Sequence, residues 1–378
     1  MHLLSSLSAS SVLALFLLGA PSSSTSGRTV PPERHVAPSP RVVEAVQRGE
    51  VIGIGGGAGG KYGGRWKGRE TLAAHGLEGG ADSIERGLSW LAENQAEDGS
   101  WEGDLDATSL ALLALLGDGH TTTQGSHAKV TTRGLAWLRA QQVRASGAWD
   151  EASGDEALGN DARATLAIVE AYHFSKSPLL KVTAEKAVGA LRKTDAFDDE
   201  PTLEAARSRA WVVLALVAAE EARLQVRASE RREAAAWFAG LSQRLADSDD
   251  ASPRAGEAHA LCVITRVSLG QDPAEAPELD AHGELLLRIA GDSSPLLDPA
   301  GWFHGSAAQH QLGREAAWTT WARGLRSRVL ERQRSEGEHA GSWDPAGADS
   351  SVGRIRATAL ACLALETPYR HARVFGAR

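Results

Sequence analysis

The triplet Arg-Gly-Leu recurs at residues 86–88, 133–135 and 323–325, each time inside a helix-like segment. Each copy leads to a glutamine and then to Gly-x-Trp: Gln95 with Gly99 and Trp101, Gln142 with Gly147 and Trp149, Gln333 with Gly341 and Trp343. The first two triplets lie 47 residues apart and the third lies 190 further on, close to four more such periods. A repeat of that length is a supersecondary unit that cannot bury its apolar face alone. The chain therefore has to stack its units against one another.

Within a unit the pattern is helical. Ile84, Gly87, Leu88 and Leu91 follow the i, i+3, i+4, i+7 spacing of one buried face. The next segment, residues 105–116, is apolar on nearly every side, as a helix surrounded by protein is. One-faced helices are expected to begin near Asp82, Val130, Lys181, Ser229, Asp280 and Ala317, and their apolar partners near Leu105, Asn160, Leu203, Ala255, Phe303 and Val352. The fifth partner is the weakest, because residues 303–313 are short and polar. No segment alternates with period two, so a sheet is not expected. Helices that are apolar all round need an outer layer, and the terminal pairs are no more polar than the middle ones. Together these features predict an all-α fold, an α6/α6 toroid of six helical hairpins. In each unit a glutamine amide can bond the loose backbone at the end of the outer helix while the indole covers it. Gln95, Trp101, Gln142, Trp149, Gln333 and Trp343 are thus read as structural.

The first 80 residues are different in kind. Residues 12–20 (VLALFLLGA) form an apolar run too short to span a bilayer, fitting a signal peptide over residues 1–24 and export of the chain. Residues 25–80 are punctuated by Ser, Pro and Gly and read as a disordered linker, with the folded domain at 81–378. Gly55 to Lys61 has the spacing of a phosphate loop, but Tyr62 stands where Ser or Thr would hold magnesium. The mature chain carries no expected membrane span. Its net charge of -8 over 378 residues argues against nucleic acid as a partner. Cys262 and Cys362 sit in apolar runs and read as small buried hydrophobes.

The Gln and Gly-x-Trp recurrences, with Trp90 and Trp137 inside their helices, resemble the prenyltransferase/squalene-oxidase repeat of terpenoid cyclases and protein prenyltransferase β subunits. Residues 82–378 are similar, more closely, to a group of bacterial exported or membrane-tethered toroid proteins carrying that repeat. The GGAGGKYGGR stretch at 56–65, the GSWDP run at 341–345 and the final 353–376 segment belong to that likeness. The resemblance implies the toroid and leaves activity open.

The residues bear on three chemistries. A cyclase protonates an alkene from the middle aspartate of D-x-D-D, and residues 247–250 match it with Asp249 as the acid. That motif sits among Ser and Pro between two helices, where a helix-ending loop has the same composition. The prenylating enzymes hold zinc through Asp-x-Cys and a histidine; neither cysteine here has that aspartate, and His259 with Cys262 is only a fragment of a site, so no metal or cofactor is expected. An (α/α)6 polysaccharide-cleaving enzyme needs paired carboxylates, for which Asp104, Asp106, Asp155 and Asp161 are available, with helix capping as their other use. Parallel inner helices would also gather their N-termini on one rim. Asp106, Asp161, Arg163, Arg207, Arg254, His304, Arg354 and Arg356 are the candidate ligand-binding residues there, able either to take an anionic or polar group or to pair among themselves. The expectation is an exported binding or interaction module rather than an enzyme, with an isoprenoid-processing or a polysaccharide-cleaving enzyme as alternatives.

Overall fold

The computed structural model describes residues 65, 68–143, 146–150, 152–248, 250, 252–291, 298–345 and 351–375. Every described residue belongs to one compact unit. Among the described residues the fold is all-helical, the one β feature being an isolated bridge between Trp101 and Asp104. Twelve α-helices follow one another: α1 (Gly80–Glu93), α2 (Leu105–Gly117), α3 (Ala128–Gln141), α4 (Asp155–Ser175), α5 (Pro178–Leu191), α6 (Leu203–Glu221), α7 (Ala228–Ala246), α8 (Pro253–Ser268), α9 (Pro277–Gly291), α10 (Pro299–Leu312), α11 (Glu315–Arg328) and α12 (Ser351–Arg370). No helix among the described residues is long and apolar enough to cross a membrane.

The even-numbered helices form the core. In α2 every residue from Ala107 to Gly117 is buried, whereas α1 buries one stripe of Ile84, Gly87, Leu88 and Leu91 with Trp90 beside it. Each even helix packs on the next, α2 on α4, α4 on α6, α6 on α8, α8 on α10 and α10 on α12, and α12 packs on α2. The odd helices cover them: α3 touches α2 and α4, α5 touches α4 and α6, and α1 touches both α12 and α2. α10 starts at Pro299, four residues before the expected Phe303, because the Asp298 side chain caps it by accepting from the Gly301 amide at 2.7 Å and proline suits a first turn. Its polar residues are buried, two of them in hydrogen bonds to the outer helices. The Gln309 amide donates to Gly283 O at 2.8 Å, and the Trp321 indole donates to Ser306 Oγ at 2.9 Å.

The repeat residues make the same bonds in all three copies. The indole Nε1 of Trp101, Trp149 and Trp343 donates to Leu91 O, Leu138 O and Val329 O, each at 2.7 Å, near the end of its own outer helix. The amides of Gln95, Gln142 and Gln333 donate to the turn carbonyls of Gly99, Gly147 and Gly341 at 2.8–2.9 Å. Each amide also reaches the following outer helix, at Val130 O, Thr183 O and Ser83 O. This corrects the expected division of labour. The indole satisfies the outer helix end, and the glutamine ties one hairpin to the next. In the third copy it ties the last hairpin to the first.

The end of the expected linker is also corrected. Residues 68–75 form a 3-10 helix against α12 and α1, Leu72 and Leu77 are buried, and the Arg65 side chain is buried among the even helices. Low-complexity composition gave no sign of this, because the partners of these residues lie far along the chain. The expected signal peptide, and the linker up to residue 64, fall outside the described residues.

Candidate functional site

The N-terminal turns of α2, α6, α10 and α12 border a cleft of about 370 Å³. Its wall carries Asp106, Arg163, Arg207, Asp298 and Arg356, and its apolar part includes Leu110, Trp211 and Leu360. Four of the expected rim residues, Asp106, Arg163, Arg207 and Arg356, therefore do come together. They are paired. Asp106 takes ion pairs from Arg163 and from Arg356, the latter at 2.8 Å. Arg356 also reaches Asp104 at 3.0 Å, the residue that caps α2 by accepting from the Ala107 amide. Arg207 grips Glu257 through Nε at 2.8 Å and Nη2 at 2.5 Å, and touches Asp298 at 3.1 Å.

Burial sets the electrostatics. Arg163 lies with its guanidinium 5.6 Å from the Trp211 ring, and desolvation holds its pKa below the usual arginine range, with Asp106 opposing the shift. Burial alone would raise the Glu257 pKa. Hydrogen bonds and charges from His304 and Arg207 outweigh that and bring it to about 2. Glu257 is therefore a fixed anion, unsuited to giving up a proton as a general acid. Beneath it His304 is fully buried, its Nδ1 2.8 Å from Glu257 Oε1, and its ring lies against Trp211, which stacks on Phe303 at 5.7 Å.

The other expected rim residues lie elsewhere. Asp161 is a structural acceptor, bonding the Trp149 and Asp150 amides at 2.9 and 3.0 Å. It stands where Thr108 and Thr358 accept the Trp101 and Trp343 amides in the other copies, and burial raises its pKa. Arg354 is buried on Asp344, Ser342 and the Trp343 carbonyl. Arg254 pairs with Glu204 in solvent. His304 is sealed below the cleft rather than on it. Of the carboxylates considered for sugar cleavage, Asp155 pairs with Arg209, leaving only Asp106 on the cleft wall. Asp249 lies outside the described residues; its neighbours Asp247, Ser248 and Asp250 are exposed, and Asp250 accepts from the Ser252 amide at 2.8 Å, as a loop residue before a helix does.

Sequence reasoning missed Asp298 and Trp211. Asp298-Pro299 is a helix-start signature, and Trp211 is the one aromatic in an otherwise aliphatic α6, so both were detectable in principle. It also missed a buried chain in which the Ser242 hydroxyl meets His282 Nε2 at 2.5 Å and His282 Nδ1 meets His259 Nδ1 at 2.6 Å. This chain joins α7, α9 and α8, and His259 faces it rather than Cys262. Among the described residues no group of three or more His, Cys, Asp or Glu side chains is arranged to hold a metal ion.

Deeper than the cleft is a second cavity of about 60 Å³, lined by residues of all six even helices, among them Leu113, Leu166, Leu214, Ile264, Phe303 and Leu363. Trp211 borders both spaces. Comparison of the chain with protein-family models, with curated proteins and with solved structures finds no match.

Proposed function

We propose that the chain is an exported α6/α6 toroid of the prenyltransferase/squalene-cyclase-like kind that works as a binding or interaction module rather than an enzyme. The toroid is supported by the packing order of the even helices, which returns from α12 to α2, and by the Gln333 bond to Ser83. Export rests on the apolar run at residues 12–20. The binding role rests chiefly on one contrast, between the cleft of about 370 Å³ and the inner cavity of about 60 Å³. The inner space has room for a few water molecules, at roughly 10–15 Å³ each. That is well below the several hundred Å³ of a typical small-molecule pocket.

The cleft suits a polar ligand that presents an anionic group to Arg163, Arg207 or Arg356. Such a group competes with Asp106, Glu257 and Asp298 for guanidiniums already in place, so orientation is fixed before binding. Titration calorimetry of the full chain with pyrophosphate and with a short acidic peptide tests this. Binding by at least one, weakened tenfold or more in Arg356→Ala and reduced by added salt, is the expected result. Turnover of a prenyl diphosphate or a linear triterpene by the purified protein would refute the proposal, as would binding that Arg356→Ala leaves unchanged.

A further inference from the structure

We infer that Arg65 and Arg69 form a clasp that locks the junction between the first and last even helices, so that withdrawal of the segment carrying them opens that junction. The junction between α12 and α2 is the one contact in the even-helix series that joins elements more than 200 residues apart in sequence. At its N-terminal end it is held by Arg356 on Asp104 and Asp106. At its C-terminal end the cations that bridge it come largely from the segment preceding α1.

Arg65 lies at 1% exposure and touches three even helices. Its guanidinium forks onto Glu170 of α4 at 2.8 and 2.9 Å, and lies 5.0 Å from the Phe174 ring. It also donates to Leu116 O of α2 at 2.9 Å and to Arg370 O of α12 at 3.2 Å. Both carbonyls belong to last turns, where the helix dipole is negative; Leu116 O also accepts from the Gly119 amide at 3.1 Å, so the guanidinium adds a second donor there. A guanidinium, with five donors in a planar fork, satisfies two such carbonyls and a carboxylate together. From α12, Arg370 returns to Glu170 at 3.3 Å and to Leu113 O at 2.7 Å. The close fit needs Gly117, where a Cβ would collide with the Arg370–Glu366 pair.

Four residues after Arg65, Arg69 grips Asp118 at the end of α2, through Nε at 2.7 Å and through a second, shorter bond. The Tyr369 hydroxyl of α12 donates to the same carboxylate at 2.7 Å. Between the two arginines, Gly68 passes so close to the Tyr369 ring that any Cβ there would overlap it. Two cations four residues apart thus hold the ends of α2 and α12 together, Arg65 directly and Arg69 through the carboxylate it shares with Tyr369.

Hydrogen exchange on the full-length chain tests the clasp. In Arg65→Ala and Arg69→Ala, amides in the last turns of α2 and α12 are expected to exchange at least tenfold faster, while those of α6 and α8 keep their rates. Should Arg65→Ala fail to fold, Arg65→Lys, which keeps the charge and loses the fork, is read by the same comparison. Unchanged exchange at the junction would overturn the inference. So would acceleration spread evenly over all the even helices, because that would mark a general loss of stability with no local opening.

Discussion

Replacing Gly99 by alanine tests the account of how hairpins join. Gly99 sits at φ +94°, and a Cβ there would lie 2.5 Å from Arg133 O in α3, the next outer helix. Two costs follow. An L-residue at positive φ gives up roughly 1–2 kcal/mol. Overlap with a backbone carbonyl, which cannot swing aside like a side-chain tip, adds roughly 1–3 kcal/mol as the turn and α3 move apart. Alanine also restricts the unfolded chain and returns roughly 0.5 kcal/mol. The net loss is therefore about 1.5–4.5 kcal/mol. Gly103 supplies the control, since it has φ +65° and nothing within 4 Å of its would-be Cβ. Gly103→Ala should carry only the conformational part, about 1 kcal/mol. Urea unfolding followed by far-ultraviolet circular dichroism measures both. Gly147→Ala and Gly341→Ala should match Gly99→Ala, because their Cβ atoms would meet Lys186 O at 2.6 Å and Arg86 O at 2.7 Å. If Gly99→Ala costs no more than Gly103→Ala, the close approach of turn and helix is not what these glycines serve.

Gln333→Ala strips Ser83 O and Gly341 O of their donor and should lower stability by about 1–3 kcal/mol, read in the same urea titration. Acid should act through the buried histidine chain. Burial lowers His259 and His282 from 6.5 to about 4, with Arg266 and Arg288 adding to the effect and Asp250 and Glu278 opposing it. The unfolded chain therefore takes up these protons first. Stability is fully present above pH 6.5 and declines as pH falls towards 4, by up to about 3 kcal/mol per histidine. His75, near 4, and His310, near 3, tilt the curve the same way. His259→Gln should flatten the slope between pH 6.5 and 4; an unaltered slope would remove this chain as its source.

The helical alternation was legible because burial on one face and burial on all faces leave different patterns. α2 and α6 begin at the expected Leu105 and Leu203. α4 begins at Asp155, five residues before the expected Asn160, because its opening Asp-Glu is polar and only Ala157 and Leu158 add apolar residues before Asn160. Partner choice was less legible. Asp161 is the seventh residue of α4 and looks like a rim carboxylate in sequence, yet it replaces a threonine that holds the repeat tryptophan. The cleft arginines were found by their position near helix starts. The neutralisation of Arg207 by Glu257 and Asp298 depends on contacts 50 and 91 residues away, which no local pattern records. Arg65 is the extreme case. Its carboxylate partner is 105 residues distant, and glycine-rich composition around it argued for a linker.

An open array of helical hairpins frays from its two outermost units and tolerates gain or loss of a unit at either end. In the proposed toroid, the contact of α12 with α2, and of α1 with both, removes those ends. Each hairpin shields two others, so duplication of a single one would have to prise apart an existing interface before it could be accommodated. Denaturation should also strike all twelve helices together, since no hairpin is peripheral enough to melt first.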